Sequence, residues 1–152
     1  MLNETQIVAE PGGRDVVLTR RFAAPRSKVF DAWTHPEQVA VWWDPTGTPL
    51  AACEIDLRPD GAFRFVTRGP GGEEHPFAGA YREIVPGERI VLQTPLAVGT
   101  LLFRDWESGT ELTLTLECET PAARDEMLRI GIADGTAQTL ANLAAFLVTV
   151  RR

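Results

Sequence analysis

The 152-residue sequence has little histidine and little cysteine, two of each. His35 stands before Pro36 at the end of a short helical pattern, and His75 follows Glu74 in a polar tip. Neither has a Cys or His neighbour at ligand spacing, which argues against a metal centre. Cys53 and Cys118 are lone residues in apolar, strand-like runs, where a buried reduced thiol is the plain expectation and a disulfide or reactive site the sharper one. No run of about eighteen apolar residues occurs, and the opening MLNETQIVAEPGG lacks a basic segment followed by an apolar one, so neither a membrane span nor a secretory signal is visible. The expected location is cytoplasmic. Positive charge is also in deficit: with a formal net charge of −6, the chain has none of the basic patch that nucleic acid or an anionic membrane would require. A Gly-rich phosphate loop followed by Lys-Ser/Thr and a nucleophile elbow are both missing, and no cofactor is implied.

What is present suits one domain with an ordinary core, since 44% of the residues are hydrophobic. Residues 1–13 mix polar residues with Pro11-Gly12-Gly13 and read as a frayed start that adds a few residues to a sheet edge. Asp15–Phe22 alternates as a strand, with Val16, Leu18 and Arg20 on one side. Ser27 can cap a short helix that groups Val29, Phe30 and Trp33, ended by His35-Pro36. A second short helix, Glu37–Trp43, presents Val39, Trp42 and Trp43 before Asp44-Pro45 stops it. From Leu50 to Glu119 the period falls to two, with turns at Pro59-Asp60-Gly61, Gly69–His75, Pro86-Gly87 and Glu107-Ser108-Gly109. The last strand, Thr110–Cys118, directs Leu112, Leu114 and Leu116 to a single face.

Thr120–Arg152 reads as one long helix. Thr120 caps it, Pro121 fits its first turn, and Asp125 and Glu126 suit its positive end. Met127, Ile130, Ala137, Leu140, Ala141, Ala144, Leu147 and Val148 recur three or four apart and form an apolar stripe. At about 30 residues it would span ~45 Å, enough to cover the greasy face of a twisted sheet. Gly131 and Gly135 lie one turn apart within it, each costing ~1 kcal/mol against Ala, which implies a kink or a face kept free of side chains. The expected architecture is α+β: a curved antiparallel sheet of about six to seven strands gripping the terminal helix, with two short helices after the first strand.

Several runs carry a family likeness. Arg21-Phe22-Ala23-Ala24-Pro25-Arg26-Ser27-Lys28-Val29-Phe30-Asp31-Ala32-Trp33-Thr34-His35-Pro36-Glu37, followed by Trp42-Trp43-Asp44-Pro45, resembles the opening of the Hsp90 ATPase activator homologue (AHSA1-like) family. This family sits in the START-like (SRPBCC, helix-grip, Bet v 1-like) superfamily. Asp56–Phe65, with its Asp-Leu-Arg-Pro-Asp-Gly turn, Gly79–Val91 and Gly109–Leu114 resemble later family motifs, in order along nearly the whole chain. Two departures stand out: Ala62 replaces a second turn glycine, and Gly135-Thr136 stands where members often carry Gly-Trp, which would open a cavity further. The resemblance implies a helix-grip fold and, between sheet and helix, a cavity for a small apolar molecule or lipid. It also implies two alternatives, an Hsp90-interacting module that stimulates the chaperone's ATPase and a cyclase- or hydrolase-like enzyme acting in the same cavity. Whether the chain acts alone or as a homodimer stays open.

The candidate ligand-binding residues are Trp33, Trp43, Phe65, Tyr81, Leu114, Gly131, Gly135 and Leu140. Most aromatics must simply build core; Tyr81 differs because its hydroxyl needs a partner if buried and can orient a ligand. Arg58 has two readings, a salt bridge with Asp56 that fixes the turn or an anchor for a ligand carboxylate. Asp134 is the candidate catalytic base, on the stripe between Ile130 and Ala137, with a simple interruption near a kink as the bland alternative.

Overall fold

The computed structural model describes residues 4–150. The elements run β1 (Gln6–Val8), β2 (Asp15–Phe22), α1 (Arg26–Thr34), α2 (Pro36–Trp42), β3 (Ala52–Ile55), β4 (Ala62–Arg68), β5 (Glu74–Val85), β6 (Arg89–Gln93), β7 (Val98–Trp106), β8 (Gly109–Glu117), α3 (Pro121–Arg129) and α4 (Ile132–Thr149). The strands form one antiparallel sheet of eight, in the order β1-β2-β8-β7-β6-β5-β4-β3. The count exceeds the expected six to seven because the few residues of β1 do join the edge, pairing Ile7 with Leu18. Only the β2–β8 pairing is distant in sequence; the meander from β3 to β8 is built of neighbours.

Alternation decides which face is covered. Val16, Leu18 and Phe22 of β2 and Leu112 and Leu114 of β8 are buried, while Val17, Thr19 and Thr113 are only partly so. Arg20 shares the inward side of β2 and is also buried, its guanidinium 5.9 Å from the Phe22 ring centroid. A register shift between Tyr81 and Glu83 breaks the alternation of β5 at that point. β3 ends at Ile55, so Leu57 lies in the following turn and is exposed.

The helical layer departs from the expectation of one long helix. Gly131 adopts φ 89°, a left-handed conformation that ends α3 and serves as the N-cap of α4. Its N–H bonds Leu128 O at 3.1 Å, and its own carbonyl accepts from Gly135 N at 2.9 Å, so one glycine finishes one helix and starts the next. The break throws the stripe out of phase: Ile130, at the C-cap of α3, is 55% exposed. Val148 also faces solvent, and Arg151 and Arg152 lie outside the described residues. Thr120 caps α3 as expected, accepting from Ala123 N at 3.0 Å. The cap of α1 differs, since Pro25 occupies the N-cap with no side-chain bond and Ser27 is already helical. The helix α2 starts at Pro36 and ends at Trp42, one residue earlier at each end than expected, because Pro fits the first turn without losing a bond.

Covering the sheet is shared. Leu140, Leu143 and Leu147 of α4 are buried, as are Val29, Phe30 and Trp33 of α1 and Val39 and Trp42 of α2. The α3 helix is fastened by Arg124, which is only 2% exposed and donates to Asp15 O and Glu10 O, both at 2.8 Å.

Candidate functional site

Between the inner face of β4–β8 and the helices lies a cavity of about 360 Å³. Its aromatic end is a continuous run of rings. Trp43 meets Phe65 edge-on with centroids 4.7 Å apart and stacks on Phe77 at 5.6 Å. Phe63 joins Phe65 at 5.2 Å and Tyr81 at 5.3 Å. Trp33 closes the run, edge-on to Trp43 at 6.1 Å and to Trp42 at 4.7 Å. The other end is aliphatic, with Ile90 and Leu92 of β6, Leu101 of β7, Leu114 and Leu116 of β8, Met127 of α3 and Ile132 of α4. Leu96, in the β6–β7 turn, and Pro45, after α2, line the cavity and are exposed, so they mark its rim.

The local sequence explains these positions. Period two on β4 and β5 turns Phe63, Phe65, Phe77 and Tyr81 to the same side of the sheet. Trp43 is held by its own backbone: Thr139 Oγ1 of α4 donates to Trp43 O at 3.0 Å, and Asn142 Nδ2 donates to Asp44 O at 3.0 Å. On the helix side, a Cβ added at Gly135 would meet only Pro45 Cγ, at 3.9 Å, while Gly131 has nothing within 4 Å. Both glycines line the cavity, but for different reasons: Gly131 satisfies a backbone conformation, and Gly135 leaves space.

Of the expected site residues, Trp33, Trp43, Phe65, Tyr81, Leu114, Gly131 and Gly135 come together on the cavity wall. Leu140 does not reach it and is fully buried in the core. Arg58 lies away from the cavity, exposed, with its Nε 2.9 Å from Asp56 in the turn that follows β3. Asp134 is exposed in the first turn of α4, where a negative charge suits the helix start, and does not line the cavity. Of the aliphatic half of the wall only Leu114 was singled out from the sequence, because a leucine in an alternating strand reads as core whether it meets a neighbour or a void.

Among the described residues no Asp, Glu, Lys, Arg or His lines the cavity. Its polar side chains are Tyr81, the indoles of Trp33 and Trp43, and Thr94, Thr136 and Thr139. Burial, with Cys53 nearby, pushes the Tyr81 hydroxyl above its ordinary pKa, so it stays protonated. Trp33 Nε1 is buried without an acceptor. Cys53 is half-buried on β3 beside Phe65, its cross-strand partner, and desolvation first, then Glu37 and Glu54, raise its thiol to about 11. Cys118 is buried, its Sγ 4.0 Å from Met127 Sδ, and neither cysteine is in a disulfide. Among the described residues no group of His, Cys, Asp and Glu could hold a metal ion, and no helix is long and apolar enough to cross a membrane.

A curved antiparallel sheet closed by helices around an apolar cavity defines the helix-grip, START-like class. Within it, the chain belongs to the Activator of Hsp90 ATPase homolog 1-like family, whose model matches residues 23–148. Comparison with curated proteins finds no match. Among solved structures, a Rhodobacter sphaeroides protein is 27% identical, with a TM-score of 0.89 over 97% of this chain and 99% of its own. A Nitrosomonas europaea protein is 25% identical, with a TM-score of 0.84 over 93% and 97% of the two chains. An AHSA1-like protein from Aeromonas hydrophila, 17% identical with a TM-score of 0.73 over 89% and 92%, shares the fold.

Proposed function

We propose that the chain binds a small apolar or amphipathic molecule in the cavity between sheet and helices, without machinery for turnover. The supporting observation is the wall itself, about 360 Å³ bounded by aromatic and aliphatic side chains with no acidic or basic group among the described residues. Binding pockets of this size range are built in the same way, from an apolar lining and a few orienting polar atoms. Water in such a space has few partners, so an apolar occupant gains by displacing it.

Native mass spectrometry of the purified protein, with extraction of any co-purifying molecule, tests the reading. A titration with the uncharged fluorophore N-phenyl-1-naphthylamine gives a second measure. Saturable binding at one site, with quenching of Trp33 and Trp43 and a rise in unfolding temperature, is the expected result. An empty protein that no apolar compound stabilises would refute it. The family's name points to another role, stimulation of the Hsp90 ATPase; unchanged turnover of the cognate chaperone on adding the protein would dispose of that one.

A further inference from the structure

The wall's hydrogen-bonding inventory is lopsided. All three threonines spend their hydroxyl hydrogens on backbone carbonyls: Thr136 on Ile132 O at 2.8 Å, Thr139 on Trp43 O at 3.0 Å and Thr94 on Ala97 O at 2.9 Å. Thr94 also accepts from Leu96 N and Ala97 N, which saturates it. The donor left over for an occupant is Tyr81, whose hydroxyl has no hydrogen-bond partner among the described residues; Trp33 Nε1 also lacks an acceptor but is enclosed by its neighbours. Both belong to the aromatic end of the cavity, and both side chains are more than nine-tenths buried.

Charge is as one-sided as the donors. A carboxylate or phosphate inside the cavity would lose its hydration and find no cation among the lining side chains. The buried Asp44, next in sequence to Trp43 and Pro45, and the exposed Asp134, next to Gly135, place negative charge beside the wall rather than positive. An uncharged acceptor such as a carbonyl oxygen, by contrast, satisfies a donor that is otherwise unpaired and needs no counter-ion.

We infer that the occupant is an uncharged apolar molecule bearing a hydrogen-bond acceptor of the ketone or ester type, seated with that oxygen at the Tyr81 hydroxyl. This rests on the cavity being a binding site and narrows its ligand to neutral, acceptor-bearing compounds, with free fatty acids excluded. Tyr81 then sets specificity, because a pocket that offers a buried donor rejects an analogue lacking the acceptor.

Three compounds of one skeleton separate the terms: benzophenone, diphenylmethane, which lacks the oxygen, and 4-benzoylbenzoate, which adds a charge. Their affinities are read at pH 8 by displacement of N-phenyl-1-naphthylamine. Benzophenone is expected to bind about tenfold more tightly than either of the others, the worth of one net hydrogen bond or more. In Tyr81→Phe its advantage over diphenylmethane should disappear. The infrared carbonyl stretch of bound benzophenone in the wild-type protein supplies a measure that needs no variant, and should fall below its value in hexane. Equal affinities for ketone and hydrocarbon, preference for the carboxylate, or an unshifted carbonyl stretch would each overturn the inference while leaving an apolar pocket in place. Failure of N-phenyl-1-naphthylamine itself to bind would remove the pocket reading and this inference with it.

Discussion

Replacing Gly135 by leucine separates a cavity wall from a packed interface. A Cβ at this position would touch only Pro45 Cγ, at 3.9 Å, an ordinary contact distance. The helix itself gains, because leucine is favoured over glycine by about 0.8 kcal/mol in a helix interior. The new side chain extends into the cavity of about 360 Å³ rather than into a filled core, so burying it adds part of the ~1.5–3 kcal/mol that a fully buried leucine contributes. The ligand-free protein should therefore hold its stability or gain about 1 kcal/mol, a rise in Tm of roughly 2–4 °C for a chain of this size. Affinity for N-phenyl-1-naphthylamine should fall by about tenfold or more, since leucine takes the same space. Thermal unfolding of the empty protein and a fluorescence titration together make the test. A fall in Tm of about 4 °C or more would mean an overpacked contact costing ~1–3 kcal/mol, and would sink the assignment of Gly135 to the wall. Gly131 is the internal control: it too has open space around it, but at φ 89° any L-residue is strained by about 1–2 kcal/mol. Gly131→Leu should destabilise where Gly135→Leu does not.

Trp33→Ala should cost about 3–5 kcal/mol, because an indole only 8% exposed leaves its contacts with Trp42 and Trp43; urea denaturation showing a loss below about 1 kcal/mol would contradict its burial. Arg124→Met removes two hydrogen bonds that tie α3 to the carbonyls of Glu10 and Asp15, for an expected loss of about 2–4 kcal/mol; an unchanged denaturation midpoint would show that α3 is held by other contacts. The Cys53 thiol, raised by burial to about 11, makes the folded state hold its proton where the unfolded chain, titrating near 9, has released one. That contribution to stability is complete below about pH 9 and is lost as pH rises through about 11. Alkylation of native Cys53 by iodoacetamide at pH 9, followed by mass spectrometry, should be far slower than in the unfolded chain, and equal rates would refute the shift.

Period-two stretches made the sheet legible: Asp15–Phe22 is a strand with the bounds expected, and the strand expected over Thr110–Cys118 runs Gly109–Glu117 with Leu112 and Leu114 turned inward. The break in the terminal helix was harder to place, because Gly131 and Gly135 look alike in sequence. Only one of them takes a left-handed backbone, and choosing which requires the sheet against which both helices pack. Edge residues were similarly ambiguous, as a three-residue strand such as Gln6–Val8 has too short a period to register. In the candidate site, the aromatic residues named from alternating positions, Phe65 and Tyr81, line the cavity. Arg58 and Asp134 did not lie there because a charged side chain near a turn or a helix start is stabilised locally, by Asp56 in one case and the helix dipole in the other. Arg124 went unnoticed, since nothing local distinguishes an arginine that reaches two distant carbonyls from one that faces water.

The pairing of β2 with β8 sets the order of folding. Asp15 lies opposite Glu117, roughly a hundred residues further along the chain, while the hairpins between β3 and β8 join immediate neighbours. Closing so large a loop is slow, and local hairpins have a head start. During synthesis β2 can pair with the neighbouring β1, but its other edge, and with it the burial of Val16, Leu18 and Phe22, must wait until β8 has emerged. Until then those three residues lack the cover that β8 and the helices give them, and a chaperone that shields apolar strands would be expected to engage this segment of the nascent chain.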